Sequence, residues 1–268
     1  MNDLNLTSVE ETLFVPMRGR VYASKNFPQI LNDKKTLEIA EKLPKNNMSN
    51  EKESQYTLMA SAIRSMNMDR YISEFLNKNP NGTIICVGAG VETTFYRNDN
   101  GKATWYEIDL EEVTSLRKKV FEPNERDIIL TCSMFDYNWM KEVKKSNEPY
   151  LIVASGLFYY FEEKSVIEFL RKVKELGNVE VIFDTVSKFG MKQTKKYMKQ
   201  LGKDDALMYF YVEDVNSLLR QLHEDTQLLD NHDYYEWVTD KSKFNFITRV
   251  SMKISDKFHM VKMIHLKL

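Results

Sequence analysis

Apolar residues along the chain fall into two kinds of run, and the order of those runs carries most of the fold. Through TLMASAIRSMNMDRYISEFL, Leu58, Ala62, Met66, Tyr71, Phe75 and Leu76 recur at near-helical spacing and predict an amphipathic helix. After the turn signal KNPNGT the pattern changes to short, nearly unbroken apolar runs of strand length: TIICVGAG, ATWYEIDL, DIILTCSMF, PYLIVASGLFYY and VEVIFDTVS. Charged helical segments separate them. EEVTSLRKKVFE follows the second run, and EEKSVIEFLRKVKEL, with apolar Val166, Ile167, Phe169, Leu170 and Val173, follows the fourth. VEDVNSLLRQL reads as another helix, and TQLLDNHDYYEW and VKMIHLKL as two closing strands. Strands that alternate with helices form βαβ units, whose right-handed crossovers build a parallel sheet. The expected architecture is α/β, a Rossmann-like and mostly parallel sheet of about seven strands.

Ahead of the sheet, LFVPMRGRVYASKNFPQILNDKKTLEIAEKLP mixes apolar patches with Arg18, Arg20, Lys25, Lys34 and Lys35. Asn32 or Asp33 is placed to cap the helix that follows, Pro44 to end it, and KNNMSNEKES reads as a loop. Residues 187–211, basic and helical in pattern over much of their length, are lodged between the fifth strand and the next helix. A single domain spanning 1–268 is expected, with 1–55 and 187–211 contributing a helical lid.

Composition narrows the function. The chain has 268 residues, 43% hydrophobic and 29% charged, within the ordinary globular range. A formal net charge of -1 gives no whole-molecule field for nucleic acid or an anionic membrane, so neither is expected as a partner. The two cysteines, Cys86 and Cys132, sit in apolar runs and read as core thiols. No histidine stands at ligand spacing from either, and no metal site is expected. The opening MNDLNLTSVEET is acidic and lacks an apolar stretch, and no run approaches about 18 uninterrupted apolar residues. A cytoplasmic protein is the expectation. Oligomeric state is not encoded in any motif.

The chemistry concentrates at TIICVGAGVETTFYR, where an apolar strand stops at Gly88, Ala89 and Gly90. Glycines between a strand and a helix permit a tight turn and close approach of a ligand to the backbone. A dinucleotide fingerprint requires G-x-G-x-x-G, and position 93 is Thr, which argues against a nicotinamide cofactor. Asp109 ends the second strand, where a carboxylate can accept both hydroxyls of a ribose. Glu107, two residues earlier, points the same way and is the alternative acid; that Asp109 only caps the following helix is the less favoured alternative.

LFVPMRGRVYAS, SAIRSMNMDRYISEFL, VGAGVETTFYR, WYEIDLEEV, CSMFDYNW and ASGLFYYF, in this order and spacing, resemble the leucine carboxyl methyltransferase family of S-adenosylmethionine-dependent enzymes. The likeness is greatest to its bacterial branch, which includes the tetracenomycin polyketide O-methyltransferase. The resemblance implies a class I methyltransferase fold and S-adenosylmethionine as cofactor. Gly88, Ala89 and Gly90 would pass beneath the methionine part, Asp109 with Leu110 beside it would take the ribose, and Ser133 and Met134 would flank the adenine. Arg64 matches the family arginine that reaches the cofactor carboxylate, a task suited to guanidinium geometry. Arg18 or Arg20, with Arg20 favoured, would close over the same pocket, and Ser155 and Gly156 would border it from the fourth strand.

The match departs at Ser155, where the family usually places a Glu that contacts the cofactor, at Glu92 in place of Asp, and at Thr94 in place of Arg. Tyr159 and Tyr160 stand where an acceptor meets the cofactor, and Tyr22, Met17 and YFYVED are candidates to line the lid. Of the histidines at 223, 232, 259 and 265, only His232 is a candidate general base, with a surface position the better expectation; His265 reads as structural. No catalytic residue is assigned. The expected activity is methyl transfer to a carboxylate or hydroxyl of a small molecule. Carboxyl methylation at a protein C-terminus, and cofactor binding without catalysis, are the alternatives.

Overall fold

The computed structural model describes residues 8–43, 53–200 and 208–268. Five apolar runs form parallel strands: β1 (Thr83–Val87), β2 (Thr104–Asp109), β3 (Asp127–Thr131), β4 (Tyr150–Ala154) and β5 (Val179–Val186). The closing pair, β6 (Gln227–Asp233) and β7 (Val261–Lys267), runs antiparallel, β7 lying between β5 and β6. The sheet has seven strands in the order β3-β2-β1-β4-β5-β7-β6. The order reverses direction between β1 and β4, the place where open α/β sheets hold their ligands.

Side chains alternate across the sheet and divide the core in two. Ile85, Val87, Ile108, Ile152 and Phe183 face helix α7 (Glu163–Val173), whose Val166, Phe169, Leu170 and Val173 are buried against them. Ile84, Cys86, Trp105, Leu151 and Ile182 face helix α3 (Gln55–Lys78) through Ile63, Tyr71 and Phe75. β1 and β4 are buried on both faces, which explains their unbroken apolar sequences. Cys86 is buried and Cys132 half-buried, both as free thiols.

Among the described residues, two helices precede α3. Helix α1 (Ser8–Asn26) packs along α3, and α2 (Lys34–Lys42) is capped by Asp33, whose Oδ1 accepts the Thr36 amide at 2.8 Å. Helix α4 (Thr94–Asn98) follows the glycine turn and α5 (Glu111–Val120) follows β2. Helix α6 (Trp139–Val143) precedes β4. Helix α8 (Lys188–Gln200) follows β5, α9 (Val215–Leu219) fills the shorter core of VEDVNSLLRQL, and α10 (Phe246–Lys257) lies between β6 and β7. Most of MNDLNLTSVEET, Pro44, most of KNNMSNEKES and residues 201–207 of the expected lid lie outside the described residues. Among those described, no helix is long and apolar enough to cross a membrane.

Candidate functional site

The carboxyl ends of β1, β2 and β4 bring most of the sequence-predicted residues to one edge. Val87 pairs with Ile108, so the chain leaves β1 for Gly88 level with Asp109 on β2. Gly88 and Gly90 have φ of +61° and +53°, a conformation that penalises any residue with a Cβ. The space a Gly88 Cβ would take is filled by Leu157, 2.5 Å away, so its absence serves the packing of the β4 loop on the turn. Among the described residues, a Cβ on Gly90 would meet only Leu13 of α1, at 3.6 Å. The close approach expected of a ligand at Gly88 is thus made by protein.

Asp109 holds this turn. Its Oδ2 accepts the Gly90 amide at 2.7 Å and its Oδ1 accepts its neighbour Leu110 at 2.8 Å. It does not cap the first turn of α5, whose N-cap, Leu110, has no side-chain bond. Burial raises its pKa, while the two amides act in the opposite direction. A carboxylate has about four lone-pair positions, so the two amides leave capacity for a diol. Leu110 beside it is 58% exposed, an apolar surface at the mouth of the turn. Ser133 is half-buried and turns its hydroxyl to the Phe135 amide, and Met134 is buried.

Glu107, the alternative acid, is fully buried beneath this edge, with Arg117 Nη2 3.4 Å away. Arg117 comes from α5 and donates to the carbonyls of Gly90 and Glu92, both at 3.0 Å, so it grips the glycine loop from below. Burial pushes the Glu107 carboxyl up to about 8, with Arg117 opposing and Asp127 reinforcing. A carboxyl whose folded pKa is raised stabilises the fold fully below its unfolded value and loses that contribution as pH rises through about 8. Denaturant unfolding should therefore show stability falling by a few kcal/mol between about pH 4.5 and 8 from this group. Glu107→Gln should flatten that part of the curve, and an unchanged slope would contradict the assignment.

Arg64 lies on α3 above the β4 loop. A Cβ on Gly156, whose φ is +67°, would meet the Arg64 guanidinium at 2.5 Å, so this glycine is the floor on which the arginine rests. Arg64 Nη1 donates to the Tyr159 hydroxyl at 3.0 Å and stands 3.7 Å from Asp184 on β5. Asp184 is buried and accepts the Gly156 amide at 2.6 Å. Burial works against the Arg64 charge, and Tyr159 and Asp184 together raise its pKa well above the ordinary value. Its Nε is buried without a hydrogen-bond partner, an unmet donor at this edge. Ser155 is half-buried beside Gly156. Asp184 was readable as an acid set among the apolar residues of VEVIFDTVS, together with Glu180; Arg117 was hidden in the charged run LRKK.

Arg20 and Arg18 are placed differently from expectation. Arg20 is fully buried, and all three of its guanidinium nitrogens are bonded to protein: Nε to Thr36 at 3.1 Å, Nη1 to Glu92, and Nη2 to the Val91 carbonyl at 2.9 Å. It ties α1 to the glycine loop. Arg18 makes a two-pronged bond with Glu53, at 2.8 and 2.6 Å. Met17 is buried against Phe14, Ile39 and Val91 rather than lining a lid. Tyr22 accepts from Gln55 at 3.0 Å, and none of its described bonds joins it to Arg64 or Tyr159.

Tyr159 and Tyr160 stack edge to face at 4.9 Å, with Tyr160 43% exposed. The Tyr209 amide donates to the Tyr159 carbonyl at 2.7 Å, and Met191 of α8 and Met208 pack with Val186 against Tyr159. Tyr209 and Tyr211 are exposed while Phe210 is buried. The expected surface position of His232 is corrected: on β6, it is buried with its ring 3.8 Å from Trp237 and 5.8 Å from Tyr71. His265 bonds Glu180 at 2.8 Å on the same side of the sheet, and His259 pairs with Asp233.

The strand order, the glycine turn and the acid ending β2 define the class I S-adenosylmethionine-dependent methyltransferase fold. Residues 15–174 match the leucine carboxyl methyltransferase family, and the chain belongs to it. It resembles a DUF574 family protein from Streptomyces avermitilis, at a TM-score of 0.62 and 9% identity over 94% of this chain and 96% of the other. It also resembles the plantazolicin methyltransferase BamL, solved with a triazolic desmethylPZN analog and SAH, at 0.55 and 14% over 97% and 98%. A third likeness is to the magnesium protoporphyrin IX methyltransferase of Synechocystis with bound SAH, at 0.50 and 10% over 94% and 99%. No curated protein matches the chain in sequence.

Proposed function

We propose that this chain binds S-adenosylmethionine across the ends of β1, β2 and β4 and transfers its methyl group to an oxygen of a small-molecule acceptor. The observation that carries this reading is Asp109: fixed by two amides at the end of β2, it keeps lone pairs for a ribose diol beside exposed Leu110. Arg64, with an unmet buried Nε–H, would take the cofactor carboxylate. Ser155 and neighbouring carbonyls, in place of a glutamate, would meet the ammonium. Bound there, the cofactor supplies an electrophilic methyl carbon on a sulfonium.

The chain's own residues favour a carboxylate acceptor. Burial raises the pKa of Tyr159 and keeps it neutral, a hydrogen-bonding group rather than a base. His232, His259 and His265 lie on or beside β6 and β7. A carboxylate is ionised at neutral pH and attacks without losing a proton, whereas a hydroxyl needs a base. Tyr159 and Tyr160 would orient it, and α1, α2 and residues 187–211 would act as the lid that excludes water.

Calorimetric titration with S-adenosylmethionine and S-adenosylhomocysteine tests the cofactor, and methyl transfer to a panel of carboxylates and alcohols tests the acceptor. Asp109→Asn, which swaps one acceptor oxygen for a donor, should weaken cofactor binding about tenfold. Wild-type protein that binds neither compound would refute the reading. Binding without transfer would favour the non-catalytic alternative, which Ser155 motivates.

A further inference from the structure

Helix α10 packs on the protein through a narrow face of three residues. Thr248, Met252 and Ser255 face the protein and are buried, while Phe246, Ile247, Val250, Ile254 and Phe258 face outward. Phe246 is 71% exposed, Ile247 74% and Phe258, at the end of the helix, 54%. At about 100° per residue the five outward residues occupy an arc of roughly 120°, a continuous stripe opposite the buried three. The stripe extends past the helix: Phe258 meets Phe189 of α8, itself exposed, at 5.9 Å between ring centroids. An apolar surface of this kind on one side of a folded chain marks a docking face.

Charge indicates what docks. Arg249 and Lys253 lie on one flank of the stripe and Lys257 at that edge of it, near the end of the helix, all exposed. Lys188 and Lys192 are exposed on α8 next to Phe189. The helix's only acid, Asp256, stands 3.6 Å from Lys241 and bonds the Tyr235 amide, so it does not neutralise the flank. The net charge of -1 for the whole chain conceals this segregation, and screening over roughly 8–10 Å makes the local field the one a partner feels. A second copy fits poorly, because an isologous contact would set these cations against themselves. A groove-seeking helix fits poorly as well, since the apolar residues stand out from a convex helix surface.

We propose that α10 and the start of α8 dock on the surface of an anionic bilayer, inserting Phe246, Ile247, Val250 and Ile254 while the flanking cations meet the headgroups. The inference does not rest on the methyltransferase reading. The Ser187 amide is bonded to Met260 at 3.0 Å, and Val186 pairs with Val261, so the stripe meets the sheet at the edge that carries the candidate site.

Co-sedimentation of the full chain with vesicles tests this, comparing phosphatidylcholine alone with phosphatidylcholine containing phosphatidylglycerol. Binding is expected only to the anionic vesicles, weakening with added salt and about fivefold for each of Lys253→Gln and Arg249→Gln. The pair Phe246→Ser and Ile247→Ser should reduce it roughly tenfold or more with the melting temperature preserved, because both side chains are exposed. No binding to anionic vesicles, or binding indifferent to all four substitutions, would overturn the proposal. So would a dimer that Phe246→Ser and Ile247→Ser dissolve, or capture of an acidic amphipathic peptide by protein that ignores vesicles.

Discussion

Replacing Arg64 by Ala should weaken S-adenosylmethionine binding by between about ten- and a hundredfold, the loss expected when a charge-assisted hydrogen bond is removed from a buried site. The effect has two sources that can be separated. The guanidinium would no longer meet the cofactor carboxylate, and Asp184, 3.7 Å away and buried, would lose its counter-charge. An unpaired buried carboxylate is costly enough to lower the melting temperature and spoil the comparison. The double variant Arg64→Ala with Asp184→Asn removes both charges and should recover stability without recovering affinity. Arg64→Lys keeps the charge but not the fork and should fall between. If titration calorimetry gave Arg64→Ala the affinity of the wild type, the anchoring role would be wrong.

The sheet was legible because its signals are local. β1 and β4 are buried on both faces and so read as unbroken apolar runs, and the glycines at 88 and 90 mark the turn that the sheet order places at the switch point. The cap of α2 was legible to within one residue, Asn32 or Asp33, for the same reason, since a cap lies within a few residues of the amide it serves; the structure selects Asp33. α10 was not legible as a helix of the core: its inward face is Thr248, Met252 and Ser255, so no buried apolar stripe announces it. The site was legible in part. Asp109 ends a readable strand and Arg64 lies within a readable helix. The partners that fix them were not legible, because Arg64 meets Tyr159 and Asp184 across 95 and 120 positions of sequence. The fate of Arg20 was illegible for a related reason: a basic residue in a mixed segment looks like a free cation until the fold brings Glu92 and Val91 to it.

The glycine turn is therefore held from several directions. Asp109 bonds the Gly90 amide, Arg117 takes the Gly90 and Glu92 carbonyls, and Arg20 takes the Val91 carbonyl and Glu92. A backbone so constrained is preorganised, and binding there need not offset the entropy of ordering a loop. Arg20 gives α1 a direct mechanical connection to the turn, so disturbing the N-terminal helices should be felt at the site.

Asp33 is where that connection is most vulnerable. The residue is fully buried; Oδ1 caps α2 through the Thr36 amide, and Oδ2 accepts Thr93 and Arg97 Nη1, the latter at 2.9 Å, with Arg20 Nε 3.4 Å away. Burial alone would raise its pKa, yet Arg97 and Arg20, with the Thr93 and Thr36 bonds, hold it below the ordinary carboxylate value. A carboxylate with a lowered folded pKa contributes stability that is present above its unfolded pKa and lost as pH falls through the folded one. Asp33→Ala should therefore cost about 3–5 kcal/mol at neutral pH, the effect of leaving buried cations uncompensated. Cofactor affinity should fall with it, because Arg20 would lose a partner that aims it at Glu92 and Val91. Asp33→Asn retains a good cap and removes only the charge. Its unfolding free energy should converge on that of the wild type only as the pH falls past the ordinary carboxylate value and through the lowered folded pKa of Asp33, below which Asp33 is itself protonated. If Asp33→Asn matched the wild type at neutral pH, the ion pairs would contribute nothing, and the coupling of α1 and α2 to the glycine loop would rest on packing alone.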